Sequence, residues 1–153
     1  MTRTMTTTSS PVAFFLPVNP VPASRPRVGK WGTFYGKCYT AWRKQAATEL
    51  TLFEHDDKFT GPVSVTLVHL VKPAKSTKRT YPRGDTDNYD KAVLDAITSH
   101  TSLWDDDDQV VELHSMKMYA GTKQTPGCYI RIAPVTLPNL LQRIKKIFTS
   151  LWR

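Results

Sequence analysis

Apolar residues recur along this chain in two periods, and the switches between them mark out the elements. Val12 to Val18 is an apolar run interrupted by Pro17, with only Arg3 before it as a basic flank. That pattern predicts a first strand and not a signal segment. Pro20, Pro22 and Pro26 make the stretch from Asn19 to Arg27 an extended loop. Val28 to Tyr35 mixes Gly29 and Gly32 with aromatic and β-branched residues, which predicts a short irregular hairpin or a loop. Trp42, Ala46, Leu50 and Phe53 are spaced four, four and three apart, giving one apolar stripe on a helix over 39–55. Gly61-Pro62 ends that region. Val63 to Val71 reads as a valine-rich strand. Its second half is apolar on both faces, so it belongs in the middle of a sheet.

Lys72 to Arg83 is a basic loop, and a helix follows from about Asn88 to Ser99. Asp87 is its expected N-cap, with Asp90 in the favourable first turn. Val110–Ala120 and Cys128–Val135 read as two strands joined through a turn with Gly121 and Gly127, and Pro138 opens a last helix to Trp152. There is no internal repeat. The order predicts an α+β architecture, a mixed β-sheet with helices packed on it in a single domain. Residues 1–10, mostly Thr and Ser, read as a flexible tail. Residues 11–135 form the body, and 136–153 an additional amphipathic helix.

At 153 residues and 40% hydrophobic content, the chain suffices for one domain with a real core. The net charge of +8 is spread along the chain and points to nucleic acid or another anionic surface as partner. Cys38 and Cys128 are far apart and lack metal-ligand spacing. They read as free thiols in a reducing cytoplasm. No apolar run has the length of a membrane span.

Against that basic background stand Gly84-Asp85-Thr86-Asp87-Asn88-Tyr89-Asp90-Lys91 and Trp104-Asp105-Asp106-Asp107-Asp108-Gln109-Val110. Carboxylates so crowded repel one another unless a cation joins them. Hard oxygen donors suit Mg²⁺, or Mn²⁺ in its place. At roughly 100° per residue, Tyr89, Val93, Ala96 and Ile97 share an apolar arc of the helix, and Asp87, Lys91 and Asp95 fall opposite it. Asp85 lies just before the helix. A short connection would bring the run Asp105–Asp108 beside it.

Each piece has a bland explanation. Asp87, Lys91 and Asp95 at i,i+4 spacing make an ordinary solvated ion-pair face, and four aspartates make an acidic turn. Taken together, after the basic loop of Lys72, Lys75, Lys78, Arg79 and Arg83, they favour metal-assisted cutting of a nucleic-acid backbone. A calcium loop beginning at Asp85 fails, with Tyr89 at its fifth position, Asp90 where glycine is needed and Ala96 where glutamate is needed. His55, His69, His100 and His114 share no ligand spacing. His114 shares a strand face with Glu112, as an ordinary strand-face histidine or as a support near the metal.

These residues resemble the RusA family of Holliday junction resolvases, common in phages and prophages. The family core reads approximately Asp-x-Asp-Asn-x-x-Lys-x-x-x-Asp-Ala and then Asp-Asp-x-Gln-Val. The counterparts here are Asp85 to Ala96 and Asp106-Asp107-Asp108-Gln109-Val110. Lys117-Met118-Tyr119 is similar to a Lys-x-Tyr of the family, and Arg25-Pro26-Arg27 to its Arg-Pro-Arg segment. The resemblance runs over about 12–135. It implies a homodimeric, Mg²⁺-dependent endonuclease of the bacterial cytoplasm that nicks branched DNA such as a four-way junction symmetrically.

By the same resemblance Asp85 and Asp87 are metal ligands and Lys91 is the catalytic lysine. Asp107 is the third carboxylate, or Asp106 if the register shifts by one. Arg25, Arg27, Lys30, Lys72, Lys75, Lys78, Arg79, Arg83 and Lys117 would hold the DNA. Two other readings stay open: a non-catalytic DNA-binding recombination accessory protein, and a nuclease for other branched or single-stranded DNA. The last helix sets Leu140, Leu141, Ile144, Ile147, Phe148, Leu151 and Trp152 against Arg143, Lys145, Lys146 and Arg153. Such a basic amphipathic helix packs on its own protein or a sister subunit, contacts DNA, or lies on a membrane surface.

Overall fold

The structure, a computed structural model, describes residues 9–151. The first eight residues of the expected tail, and Trp152 and Arg153 of the expected last helix, lie outside that range. The elements are β1 (Val12–Leu16), β2 (Arg27–Gly29), β3 (Gly32–Phe34), α1 (Lys37–Thr51), β4 (Val63–Val71), α2 (Thr86–His100), a 3-10 turn (Asp107–Gln109), β5 (Val110–Tyr119), β6 (Gly127–Pro134) and α3 (Leu137–Leu151).

The main sheet runs β1-β6-β4-β5. β4 pairs parallel with β5 on one side and antiparallel with β6 on the other, and β6 pairs antiparallel with β1. Parallel neighbours need a crossover, and α2 supplies it. Val63, Val65 and Leu67 of β4 alternate onto one face, in register with Ile132 and Ile130 of β6. There they form one core with Tyr39, Trp42, Ala46 and Leu50 of α1 and Ala92, Val93, Ala96 and Ile97 of α2. The mixed sheet with helices packed on it is the expected α+β fold, and the valine-rich strand is central as expected. The opposite face leaves Met116, Met118 and Tyr129 exposed. Cys38 is exposed and Cys128 buried, and neither is in a disulfide. No helix among the described residues is long and apolar enough to cross a membrane.

Boundaries differ from expectation where local hydrogen bonding decides them. β1 stops at Leu16 because Pro17 has no N–H, and Val18 N–H turns back to the Leu16 carbonyl at 2.9 Å. α1 ends at Thr51, four residues early. Leu52 and Phe53 N–H donate to the Glu49 and Leu50 carbonyls at 3.2 and 3.1 Å, a tightened last turn. Phe53 leaves the helix yet stays apolar in purpose, stacking on Phe14 with ring centroids 4.1 Å apart. Asp87 is not the N-cap of α2. Gly84, at φ +94°, turns the chain so that Asp85 takes the extended capping position and the helix starts at Thr86.

Gly127 opens β6 where the chain approaches β1 closely. A Cβ there would stand 2.4 Å from Phe15 Cζ and 2.5 Å from the Leu16 carbonyl oxygen, and the second of these is backbone. Gly127→Ala should therefore lower stability by about 1–3 kcal/mol. In urea denaturation the midpoint should drop with an unchanged slope. A midpoint equal to wild type would show that the β1–β6 edge yields freely.

Candidate active site

The turn before α2 is braced from several directions. Tyr89 Oη donates to the Arg83 carbonyl at 2.7 Å, and Ala23 N–H donates to the Asn88 carbonyl at 2.8 Å. Lys117 Nζ, from β5, bonds the Gly84 carbonyl and lies 5.7 Å from the centre of the Tyr89 ring. Held this way, the turn presents Asp85 and Asp87 to solvent. The Asp85 side chain makes no capping hydrogen bond, and Asp87 Oδ1 accepts only the adjacent Asn88 N–H, at 3.0 Å. Neither carboxylate has an ion-pair partner among the described residues. One turn further on, Lys91 Nζ bonds Asp95 at 3.1 Å.

The four aspartates of the second run have four different environments. Asp105 pairs with Lys58. Asp106 caps the 3-10 turn, its Oδ1 accepting the Asp107 N–H at 2.7 Å. Asp108 is exposed, and Asp107 is half-buried. Gln109 holds the run in place. Its Oε1 accepts the Asp105 N–H at 2.9 Å, and its Nε2 donates to the Phe59 and Gly61 carbonyls, each at 2.9 Å.

Burial holds the Asp107 carboxyl above the usual aspartate range, and a hydrogen bond and charge from Asp106 and the charge of Asp95 add to this, against Lys91. Lys91 is raised above the ordinary lysine range, first by its hydrogen bond to Asp95 and then by that charge, with a further contribution from Asp107. Asp107, Asp106, Asp95 and Lys91 thus form one electrostatic group alongside α2.

Asp85 and Asp87 stand apart from that group at the start of the helix. Among the described residues, no three acidic, histidine or cysteine side chains converge into a closed metal cage. The donors are nevertheless of the right kind for Mg²⁺ or Mn²⁺: carboxylate oxygens, unpaired at Asp85 and Asp87 and costly to ionise at Asp107. A cation would relieve that cost.

Asp90 is a residue whose part the sequence reading missed. It is buried, and its Oδ1 accepts from His69 Nε2 of β4 at 2.8 Å and from Ser115 Oγ of β5 at 2.5 Å. His69 is fully buried and its Nδ1 has no partner. Its one side-chain hydrogen bond is the one Nε2 makes to Asp90. The bridge ties α2 to both strands beneath it. A signal was present in the sequence: at roughly 100° per residue, Asp90 falls within about 20° of Ile97, on the edge of the apolar arc.

The expected DNA contacts are distributed over the surface. Arg25, Arg27 and Lys30 are exposed on and before the β2–β3 hairpin, and Lys72, Lys75, Lys78, Arg79 and Arg83 are exposed on the loop after β4. Lys117 differs, since its ammonium is engaged at the Gly84 turn. His114 bonds Glu112 at 2.9 Å, and Arg143 of α3 pairs with the same glutamate. By strand alternation this group lies on the sheet face away from Ser115 and α2, so His114 does not support the aspartate cluster.

The sequence pattern of the endodeoxyribonuclease RusA family matches residues 17–133. That span covers most of the chain and holds the whole acidic cluster, so the chain belongs to the RusA endodeoxyribonuclease family and is an enzyme that cuts DNA. No curated protein matches the sequence. α3 lies beyond the matched residues.

The raised Asp107 has a consequence for stability. Its folded value exceeds its unfolded one, so ionisation destabilises the fold, and the cost builds as pH rises through the ordinary aspartate range near about 4. In EDTA at pH 7, Asp107→Asn should melt at a higher temperature than wild type, and the gap should close below about pH 4. A gap independent of pH would mean that its carboxylate carries no penalty.

Proposed function

We propose that this chain is a Mg²⁺-dependent, structure-selective endodeoxyribonuclease that resolves Holliday junctions by paired nicks. Mn²⁺ would substitute for Mg²⁺. The supporting observation is that α2 presents two carboxylates without ion-pair partners among the described residues, Asp85 and Asp87, at its start, and one turn on Lys91, beside which lies Asp107, a carboxylate that is costly to ionise. Asp85, Asp87 and Asp107 would hold the metal, and Asp106 Oδ1 holds the backbone of the run that carries Asp107. The chemistry supplied by a bound metal would be polarisation of the scissile phosphate and a more acidic water. Lys91 sits one turn from Asp87 and neutralises charge on the phosphorane or the leaving oxygen. The exposed arginines and lysines of the hairpin and of the loop after β4 position the backbone without reading sequence.

Cleavage of a labelled four-way junction with and without Mg²⁺ tests this reading. An accessory protein would bind without nicking. Equal cutting of forks or single strands would reassign the substrate. Asp87→Asn should abolish nicking and keep DNA binding. Lys91→Ala should lower the single-turnover rate by about 100-fold or more, with junction affinity nearly unchanged. Wild-type cutting by Asp87→Asn would rule out the site, and affinity falling in step with rate would make Lys91 an ordinary phosphate contact.

We further propose that the enzyme works as a homodimer and that α3 joins the copies. Leu137, Leu141, Ile144, Phe148 and Leu151 follow a four-three-four-three spacing and are all exposed. That spacing is the seam of paired helices, and a lone helix of 15 residues is marginal in water. The double variant Leu141→Glu, Ile144→Glu should sediment as a monomer where wild type sediments as a dimer. An unchanged dimer would put the interface elsewhere.

A further inference from the structure

The β2–β3 hairpin has a composition that phosphate contact alone does not explain. Its strands pair only with each other, Arg27 opposite Phe34, Val28 opposite Thr33 and Gly29 opposite Gly32. At its tip Trp31 is 92% exposed, with Val28 at 87% and Phe34 at 53%. Gly32, at φ +119°, closes the turn beside Trp31. Among the described residues these apolar groups stay open to solvent, with only the Lys30 ammonium over the Trp31 ring at 5.5 Å, although a solvated tip would be served equally well by polar residues.

The surrounding charge is of one sign. Between Ser9 and Thr48 there is no aspartate or glutamate, while Arg25, Arg27, Lys30, Lys37, Arg43 and Lys44 all fall there. An exposed indole beside the cations Arg27 and Lys30 of the hairpin matches nucleic acid, which offers phosphates to the cations and a base face to the ring. The feet of the hairpin decide between DNA and another anionic surface, because both lie against α2 or the turn before it, the element that carries Asp85, Asp87 and Asp95. On the entering side, Ala23 N–H bonds the Asn88 carbonyl, and Pro22 lies against Gly84. On the leaving side, Tyr35 meets Tyr39 edge to face at 5.4 Å, with Arg43 over Tyr35 at 5.0 Å. Tyr39 in turn lies in the field of Asp95 and Lys91. At about 3.3 Å per residue, β2 carries the tip roughly 10 Å beyond its start. That is about three base steps at roughly 3.4 Å each.

We infer that this hairpin reads the branch in the DNA substrate: Trp31 stacks on a base face left open at the branch point, while Arg27 and Lys30 hold the flanking phosphates. This rests on the nuclease reading above and adds the source of its structure selectivity. In continuous duplex every base face is covered by its neighbour, so the indole finds nothing to stack on. At a branch the stack is interrupted. The cations contribute to both substrates alike, and the indole contributes to one.

The test measures affinity for a four-way junction and for a duplex of equal length, in Ca²⁺ so that no cutting occurs. It compares wild type, Trp31→Ala and Trp31→Phe, with 2-aminopurine at the branch point as a stacking probe. Trp31→Ala should lose about 5- to 150-fold in junction affinity, with duplex affinity unchanged. Trp31→Phe should recover most of the loss. Binding of wild type, and not of Trp31→Ala, should change the 2-aminopurine fluorescence. An unchanged junction-to-duplex ratio in Trp31→Ala overturns the inference, as does an equal loss on both substrates. Vesicles of anionic lipid binding wild type but not Trp31→Ala would also overturn it, by assigning the indole to a membrane. A wild type with no preference for the junction would remove the junction reading itself and this inference with it.

Discussion

The parallel pairing of β4 with β5 is the constraint on which the arrangement of this enzyme depends. Two parallel neighbours cannot be joined by a tight turn, so the chain must travel back along the sheet. It does so as α2. The basic loop after β4 then leads into the start of that helix, and the acidic run precedes β5. Asp85 and Asp87 therefore stand at the head of α2, while Asp107 lies alongside the Lys91–Asp95 turn. Lys91 falls between them because it is one turn along the same helix. The separation of the carboxylates follows from topology, with the helix rising about 1.5 Å per residue.

A helix that carries the candidate catalytic groups must not rotate or slide on its sheet. Apolar packing by Ala92, Val93, Ala96 and Ile97 is non-directional and would tolerate small rotations. The Asp90 bridge is directional. One carboxylate oxygen accepts from a side chain on each of the two parallel strands, so the pitch of α2 is referenced to both. Gln109 does the same for the second acidic run, by fixing it to the backbone ahead of β4. The two halves of the candidate site are thus anchored separately to the same central strand.

Much of this was legible in the sequence because it rests on periodicity. The alternation at Val63–Val71 and the stripe Trp42, Ala46, Leu50 carry the sheet and α1, and Tyr89, Val93, Ala96 and Ile97 carry the buried side of α2. What escaped depends on single contacts between distant residues. The capping place went to Asp85 because a glycine at positive φ set the start of the helix two residues earlier. Asp90 and His69 are 21 residues apart and belong to elements of different period, so no local pattern pairs them. The four adjacent aspartates are chemically identical in sequence. Lys58, a backbone N–H, partial burial and open solvent distinguish them in the fold.

The two thiols differ in a way that bears on how the molecule can be observed. Burial pushes the Cys128 thiol up to about 12, which leaves it without reactive thiolate at neutral pH. Cys38 is exposed in the first turn of α1, shortly after the β2–β3 hairpin. The unmodified chain therefore carries one addressable thiol, shortly after the hairpin that bears the aromatic tip. A maleimide dye or spin label placed there would report on the hairpin in the unmutated enzyme.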